Sequence, residues 1–346
     1  MGIVTLGIDL GKNVCRVAGL DGTGKVVLRR RVRRYRLLSF LSGLEPCTVA
    51  MEACGGAHPV ARHCRSLGHE VRLMSPLYVQ PYVKVHKTDD RDAEAIAEAA
   101  TRPTMRFVSV KTAEQLDLQA LHRVRARLIH SRTRLINQAR AFLMERGVRI
   151  GQGRHVFQRA LQQIVAEGDV DIGPRIQELI QELIQDMAAE LGDLNKRIAA
   201  FDAEIKELAR SEPDMKRLAE IPGVGPMIAS ALVAAIGDGK TFGRGRDLSA
   251  WLGLVPRQVS TGGKAKLIGI SKRGNRYLRK LFIHGARTVL HLVKDRSTPL
   301  ARWIDQLKLR RHGNVAVVAM ASKLARISWA VLTRKERYDQ AALLGV

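Results

Sequence analysis

The stretch IVTLGIDLGKNVCRVAGLDGTGKVVLRRRV, residues 3–32, decides how the N-terminal part of the chain is built. Residues 3–9 carry β-branched side chains and end at a Gly-Lys turn, which predicts a strand. Residues 14–20 and 25–32 read as two more strands. The DGTG segment (21–24) that joins them is a hairpin signal, because Asp and Gly tolerate the left-handed backbone of a tight reversal. The chain therefore opens with an antiparallel three-strand meander. Working outward, a short helix is expected near 36–43 and a buried strand at 47–52 (CTVAME). A helix near 57–67 and a strand at 70–74 (EVRLM) follow. Strand–helix–strand steps are crossovers, so the product is a mixed α/β sheet. KTDDRDAEAIAEAA, 87–100, supplies the helix after its last strand.

From about 112 to 147 the pattern turns helical, with Leu121, Val124, Leu128, Leu135, Ala139 and Phe142 at heptad-like spacing and arginines on the remaining surface. A Gly-rich break, GVRIGQGR, follows. Residues 175–210 predict a second long helix whose stripe runs Ile176, Ile180, Leu183, Met187, Leu191, Leu194, Ile198, Phe201, Ile205 and Leu208, with one skip near 187–191. Packing in a hairpin and pairing in a dimeric coiled coil are equally open readings of that stripe.

The formal charge is +25, from 58 Lys+Arg against 33 Asp+Glu. Such an excess points to a polyanion, most directly nucleic acid. Most of it lies at the end, with 23 Lys+Arg and five Asp+Glu from residue 240 onward. No apolar run is expected to approach the ~18 residues of a spanning helix. The start of the chain has no signal-peptide pattern. Cys15, Cys47, Cys54 and Cys64 form no CxxC pair, so neither zinc nor a disulfide framework is signalled. A reduced, cytoplasmic setting is the expectation.

Within this cationic chain the acids of KTDDRDA stand out. Asp9 ends the first strand and Glu52 the fourth. If those strands are parallel neighbours, both carboxylates emerge at one sheet edge. Asp89 and Asp92, three apart, share a helix face. Four converging carboxylates repel one another unless cations lie between them, and hard oxygen donors suit Mg²⁺ or Mn²⁺. Two such ions can hold the attacking and leaving oxygens of a phosphodiester. The plainer reading is helix capping by Thr88 or Asp89. Further on, IPGVGPMIASAL (221–232) reads as a helix-hairpin-helix turn, with Gly223 and Gly225 either presenting amides to phosphate or allowing close helix approach. PRQVSTGGKAK (256–266) predicts a flexible cationic loop in which Ser260 sits beside Arg257 and Lys264. By itself this reads more simply as a backbone-phosphate contact. Ser271 reads as a cap or phosphate contact before a helix at about 275–290. His284 and His291 on that helix read as core or interface residues.

GIDLGK, AMEACGG and KTDDRDA, in that order, resemble the DEDD, RuvC-like domain of insertion-sequence transposases of the one-ten family, the bridge-RNA-guided recombinases. IPGVGPMIASALVAAIGD, SAWLGLVPRQVSTGGK, GISKRGNRYLRKLFIHGAR and NVAVVAMASKLARISWAVL are similar to that family's transposase domain. The resemblance covers nearly the whole chain. It implies an RNase H-like fold for the N-terminal domain, with Asp9, Glu52, Asp89 and Asp92 as metal ligands. It also implies that Ser260 is the nucleophile of a covalent phosphoserine link to DNA, with Thr261 the fallback. Arg257, Lys264, Lys266, Lys272, Arg273, Arg276 and Arg279 would line the nucleic-acid path.

The resulting expectation is α/β plus α. A RuvC-like metal-binding domain covers 1–150, a coiled-coil segment 151–212, and a mainly helical basic transposase domain with the serine loop 213–346. The expected activity is cutting and rejoining of donor and target DNA, aided by Mg²⁺ or Mn²⁺. By resemblance a structured guide RNA directs it, and homodimers pair into a tetramer, on the nucleoid of a bacterial cytoplasm and away from membranes. The alternatives are a metal-dependent nuclease, such as a junction resolvase, in which water attacks, and a non-catalytic nucleic-acid scaffold.

Overall fold

The computed structural model describes residues 2–83, 89–167, 177–292 and 299–339. It contains two compact units, Met1–Leu116 and Asp117–Val346, each with its own core.

In the first unit β1 (Thr5–Asp9), β2 (Val14–Leu20) and β3 (Val26–Arg33) form the antiparallel meander. The strands β4 (Thr48–Glu52) and β5 (Glu70–Met74) add in parallel beside β1. The two-residue β6 (Phe107–Val108) closes the far edge antiparallel to β5, giving the order β3-β2-β1-β4-β5-β6. This mixed sheet is consistent with an RNase H-like fold. It departs from the sequence reading in β6, too short to leave a periodic signal, and in the short α3 (Pro76–Val79). Strand alternation divides the core in two. Leu6, Ile8, Val49 and Met51 pack with Leu37 and Leu41 of α1 (Leu37–Ser42) and Val60 and Cys64 of α2 (Ala57–Ser66). Ala50 and Met74, facing the other way, pack with Ala95, Ile96, Ala99 and Ala100 of α4 (Asp89–Ala100). Thr88 lies outside the described residues.

The second unit is almost all helix. α5 (Ala113–Met144) and α7 (Gln177–Ser211) run antiparallel: Arg125 pairs with Asp202, and Arg132 donates to Asn195 at 3.0 Å, so positions advance on one as they fall on the other. The α7 stripe differs from the sequence reading at one place. Leu183 is 38% exposed, and Ile184 is buried instead. With Ile184 the skip disappears, and 184, 187, 191, 194, 198, 201, 205 and 208 alternate threes and fours. Ile176 lies outside the described residues, as does the side chain of Ile180. Ile184, Met187, Leu191, Leu194 and Ile198 pack on Leu128, Leu135 and Leu143 of α5 and on Phe157 and Leu161 of α6 (Arg154–Glu167). The stripe is therefore covered within the chain, as the hairpin reading expects.

The remaining helices are α8 (Pro213–Ala219), α9 (Pro226–Ile236), α10 (Gly245–Trp251), α11 (Arg276–Leu292), α12 (Pro299–Arg310) and α13 (Gly313–Arg334), and they share one core. α13 is long and apolar enough to cross a membrane, with a mean hydropathy of 1.6, contrary to the expectation that no such run exists. Its Met320, Ala321, Leu324 and Ala325 are fully buried in that core. α11 buries Leu278, Phe282, Ala286 and Val289, which leaves His284 and His291 exposed rather than in the core.

Candidate functional site

The strand-end acids come from register. β1 and β4 pair in parallel with Ile8 opposite Met51, so Asp9 and Glu52 follow at the neighbouring strand ends. Both stand two residues beyond positions on the α4 side, Gly7 and Ala50. Gly7 brings the helix down onto the strand. A Cβ there would collide with the Ala93 carbonyl oxygen and lie 2.6 Å from the Ala97 amide nitrogen. Asp92 immediately precedes Ala93 and is half-buried. Asp89 is the first residue of α4, and its side chain lies outside the described residues.

Among the described residues, no group of three or more His, Cys, Asp or Glu side chains closes to metal-binding distance. The donor chemistry nevertheless fits a hard divalent cation. The one soft candidate nearby is Cys54, whose thiol is pushed up by burial and by the charges of Glu52 and, more weakly, Asp9, with Arg34 opposing them. Asp9, Glu52 and Asp92 offer carboxylate oxygens, the donor type that suits Mg²⁺ or Mn²⁺.

Ser260 sits on a hairpin, where the sequence predicted a flexible loop. β7 (Pro256–Thr261) and β8 (Lys264–Ile270) pair antiparallel around Gly262-Gly263, whose φ values of +58° and +76° suit a two-residue reversal. All six β7 residues are exposed, so no buried face announces the strand. Ser260 lies opposite Ala265, one step from the tip, and Gln258 Nε2 donates to its Oγ at 2.8 Å. Arg257, Lys264 and Lys266 are exposed on the same two strands, and Lys272, Arg273 and Arg276 are exposed beyond them. Arg279 is half-buried instead, and its Nη1 donates to the carbonyls of Leu252 and Arg273 at 2.9 and 2.8 Å. Asn275, rather than Ser271, caps α11 by accepting from the Leu278 amide at 3.0 Å. At the turn before α9, Gly223 has φ +83°, and a Cβ there would strike Val289 and lie 2.8 Å from the Gly285 carbonyl. Gly223 thus serves close approach of α11, while Gly225 is exposed with open space around it.

Sequence reasoning missed a buried polar chain in this unit. His122 on α5 is 3% exposed, with Nδ1 3.0 Å from Tyr277 Oη and Nε2 3.0 Å from Ser230 Oγ. Ser230 spends its hydrogen on the Pro226 carbonyl at 2.6 Å, so His122 Nε2 donates and Nδ1 accepts from Tyr277. Burial, and then the Arg125 charge, push His122 down to about 4 and keep it neutral. The chain ties α5 to the first turns of α9 and α11. Its members are 108 and 155 residues apart, so no local signal marks it.

An N-terminal sheet with a carboxylate edge and a basic helical unit with an exposed serine are compatible with a nucleic-acid-processing class. Residues 6–146 match the family model described as "Transposase", of the IS110 DEDD type, and residues 215–300 match that of the "Transposase IS116/IS110/IS902 family". The chain is 46% identical to a "Probable family 20 transposase" of Pseudomonas aeruginosa, over 98% of this chain and 99% of that one. It is 45% identical to the "Transposase for insertion sequence element IS1111A" of Coxiella burnetii, over 97% and 91%. Against the "Transposase for insertion sequence element IS1328" of Yersinia enterocolitica the identity is 42%, over 96% and 97%. The chain belongs to the IS110/IS116 family of insertion-sequence transposases.

Proposed function

We propose that this transposase cuts and rejoins DNA through a covalent phosphoserine intermediate formed by Ser260. The observation that carries the reading is an exposed hydroxyl at the end of a hairpin arm bearing Arg257, Lys264 and Lys266. In the proposed step Ser260 gives up its proton and Oγ bonds to phosphorus. The phosphorus–oxygen bond to the adjoining nucleotide breaks, releasing a hydroxyl. Attack by the hydroxyl of an exchanged strand restores the serine, so phosphodiester bonds are conserved without net hydrolysis. Positive surroundings favour the alkoxide form of an otherwise weak nucleophile. Asp9, Glu52, Asp89 and Asp92 would hold Mg²⁺ or Mn²⁺, which when bound supplies charge stabilisation at the phosphate. Lys272, Arg273, Arg276 and the Gly225 amide would contact backbone phosphates. RNA guidance, a dimer pairing into a tetramer and action on the bacterial nucleoid belong to the same proposal. They are supported by the family resemblance and the +25 charge. So does a division of labour among 1–150, 151–212 and 213–346.

Ser260→Ala, with Thr261→Val beside it, tests the reading by denaturing gel of protein–DNA adducts. The expected outcome is loss of adduct and strand exchange in the first and retention in the second. The paired strand-end acids favour a second reading, a nuclease using water, in which Ser260→Ala keeps cleavage and only Asp9→Ala or Glu52→Ala removes it. Nucleic-acid binding without adduct or cleavage in the parent chain and in all of these variants would leave only a scaffold.

A further inference from the structure

The arginine run LRRRVRRYR, residues 28–36, occupies the outer edge strand β3 and the turn that follows it. Part of it is tied down. Arg29 pairs with Glu94, Arg30 lies over the Phe40 ring at 5.4 Å, and Arg34 donates to the Gly11 and Gly56 carbonyls at 3.4 and 3.3 Å. The rest faces outward. Arg31, Arg33 and Arg36 are exposed, and Tyr35 between them is 68% exposed. Arg33 Nη1 donates to Tyr35 Oη at 3.2 Å, and the Arg36 guanidinium stands 5.5 Å from the ring centroid. Strand register connects this edge to the acids. Arg31 is opposite Arg16 and Arg16 is opposite Asp9, with Glu52 next across β4. Residues in cross-strand register share a face, so Arg31, Arg16, Asp9 and Glu52 form one transverse row about 14 Å long.

Arginines on an edge strand also discourage edge-to-edge pairing of sheets. That role needs charge alone, and it needs neither an exposed aromatic ring framed by two guanidiniums nor a row ending at two carboxylates. Stacking on a tyrosine requires a base that is not paired within a duplex, and guanidiniums suit phosphate oxygens.

We propose that the β3 edge is an entry track for a single-stranded stretch of nucleic acid. One base stacks on Tyr35, Arg33 and Arg31 take the phosphates that follow, and Arg16 hands the strand to Asp9 and Glu52. A displaced DNA strand and an unpaired RNA loop offer the same chemistry. The direction of the track rests on the proposed phosphate-processing role of the acids, whereas the binding edge does not.

The test uses the full chain in EDTA, which stops cleavage, with fluorescein-labelled single-stranded DNA, single-stranded RNA of the same sequence and a blunt DNA duplex. Arg31→Glu/Arg33→Glu is expected to weaken single-strand binding more than tenfold and to lower the salt slope by about 1.4. Tyr35→Ala is expected to weaken it about tenfold, with Tyr35→Trp retaining it. Because the C-terminal unit is itself cationic, a second readout fixes the place: 5-iodouracil in the single strand should crosslink to the peptide containing Tyr35. Unchanged single-strand affinity, equal losses on the blunt duplex, or the absence of that crosslink would each overturn the proposal. The oligomer with the larger loss identifies the source of the strand. Asp9→Asn separates the two readings. If it leaves strand exchange intact, the role given to the acids fails while the binding losses at the β3 edge stand.

Discussion

At Gly7 the absence of a side chain sets how near α4 can come to β1, and so where Asp92 stands relative to Asp9. Gly7→Ala forces the Ala93 and Ala97 backbone away from the strand. Neither neighbour is the end of a flexible side chain, so the expected loss is about 2–4 kcal/mol of stability in urea unfolding. His122 makes a different residue-scale prediction. Its folded pKa of about 4 lies below the ordinary 6.5, so the unfolded chain binds more protons between those values. The stability from neutral His122 is therefore complete above about pH 6.5 and is lost as pH falls toward 4, amounting to roughly 3 kcal/mol. Melting temperatures at pH 7 and pH 4.5 should diverge less in His122→Gln than in the parent chain. Asp9 and Glu52 were legible in the sequence because each closes a strand. His122 was not, because its partners Ser230 and Tyr277 arrive only on folding.

At the scale of elements, the one-residue difference in α7 is testable. Ile184 is 4% exposed against α5 and α6, while Leu183 is 38% exposed. Ile184→Asp buries an unpaired carboxylate and is expected to cost more than about 3 kcal/mol, measured by thermal unfolding. Leu183→Asp should cost under about 1 kcal/mol. Reversed results would restore the stripe with the skip. Sequence spacing could not separate the two neighbours, because both are apolar and only the approach of α5 and α6 decides which is covered. The β7–β8 hairpin escaped for the opposite reason. With every β7 side chain exposed, it offers no alternation of buried and exposed positions to read.

At the scale of the whole molecule, the acids belong to one compact unit and Ser260 to the other. The proposed oligomer makes a definite prediction if each site takes its acids from one subunit and its serine from another. Asp9→Ala chains and Ser260→Ala chains, inactive alone, should regain strand exchange when co-expressed, with at most one working site per pair. No recovery would assign acids and serine to the same chain.

The sequence alone determined the meander, the two parallel additions, the long helices and the cationic C-terminal third, since periodicity, turn residues and charge are local properties of the chain. Tertiary structure decided which of two adjacent apolar residues in α7 is buried, that α13 is a core helix, and that His122 bridges three helices. It also decided that Arg31 of β3 falls in one row with Arg16, Asp9 and Glu52. Each of these depends on what a distant segment brings against a side chain, and no residue carries that in its own neighbourhood.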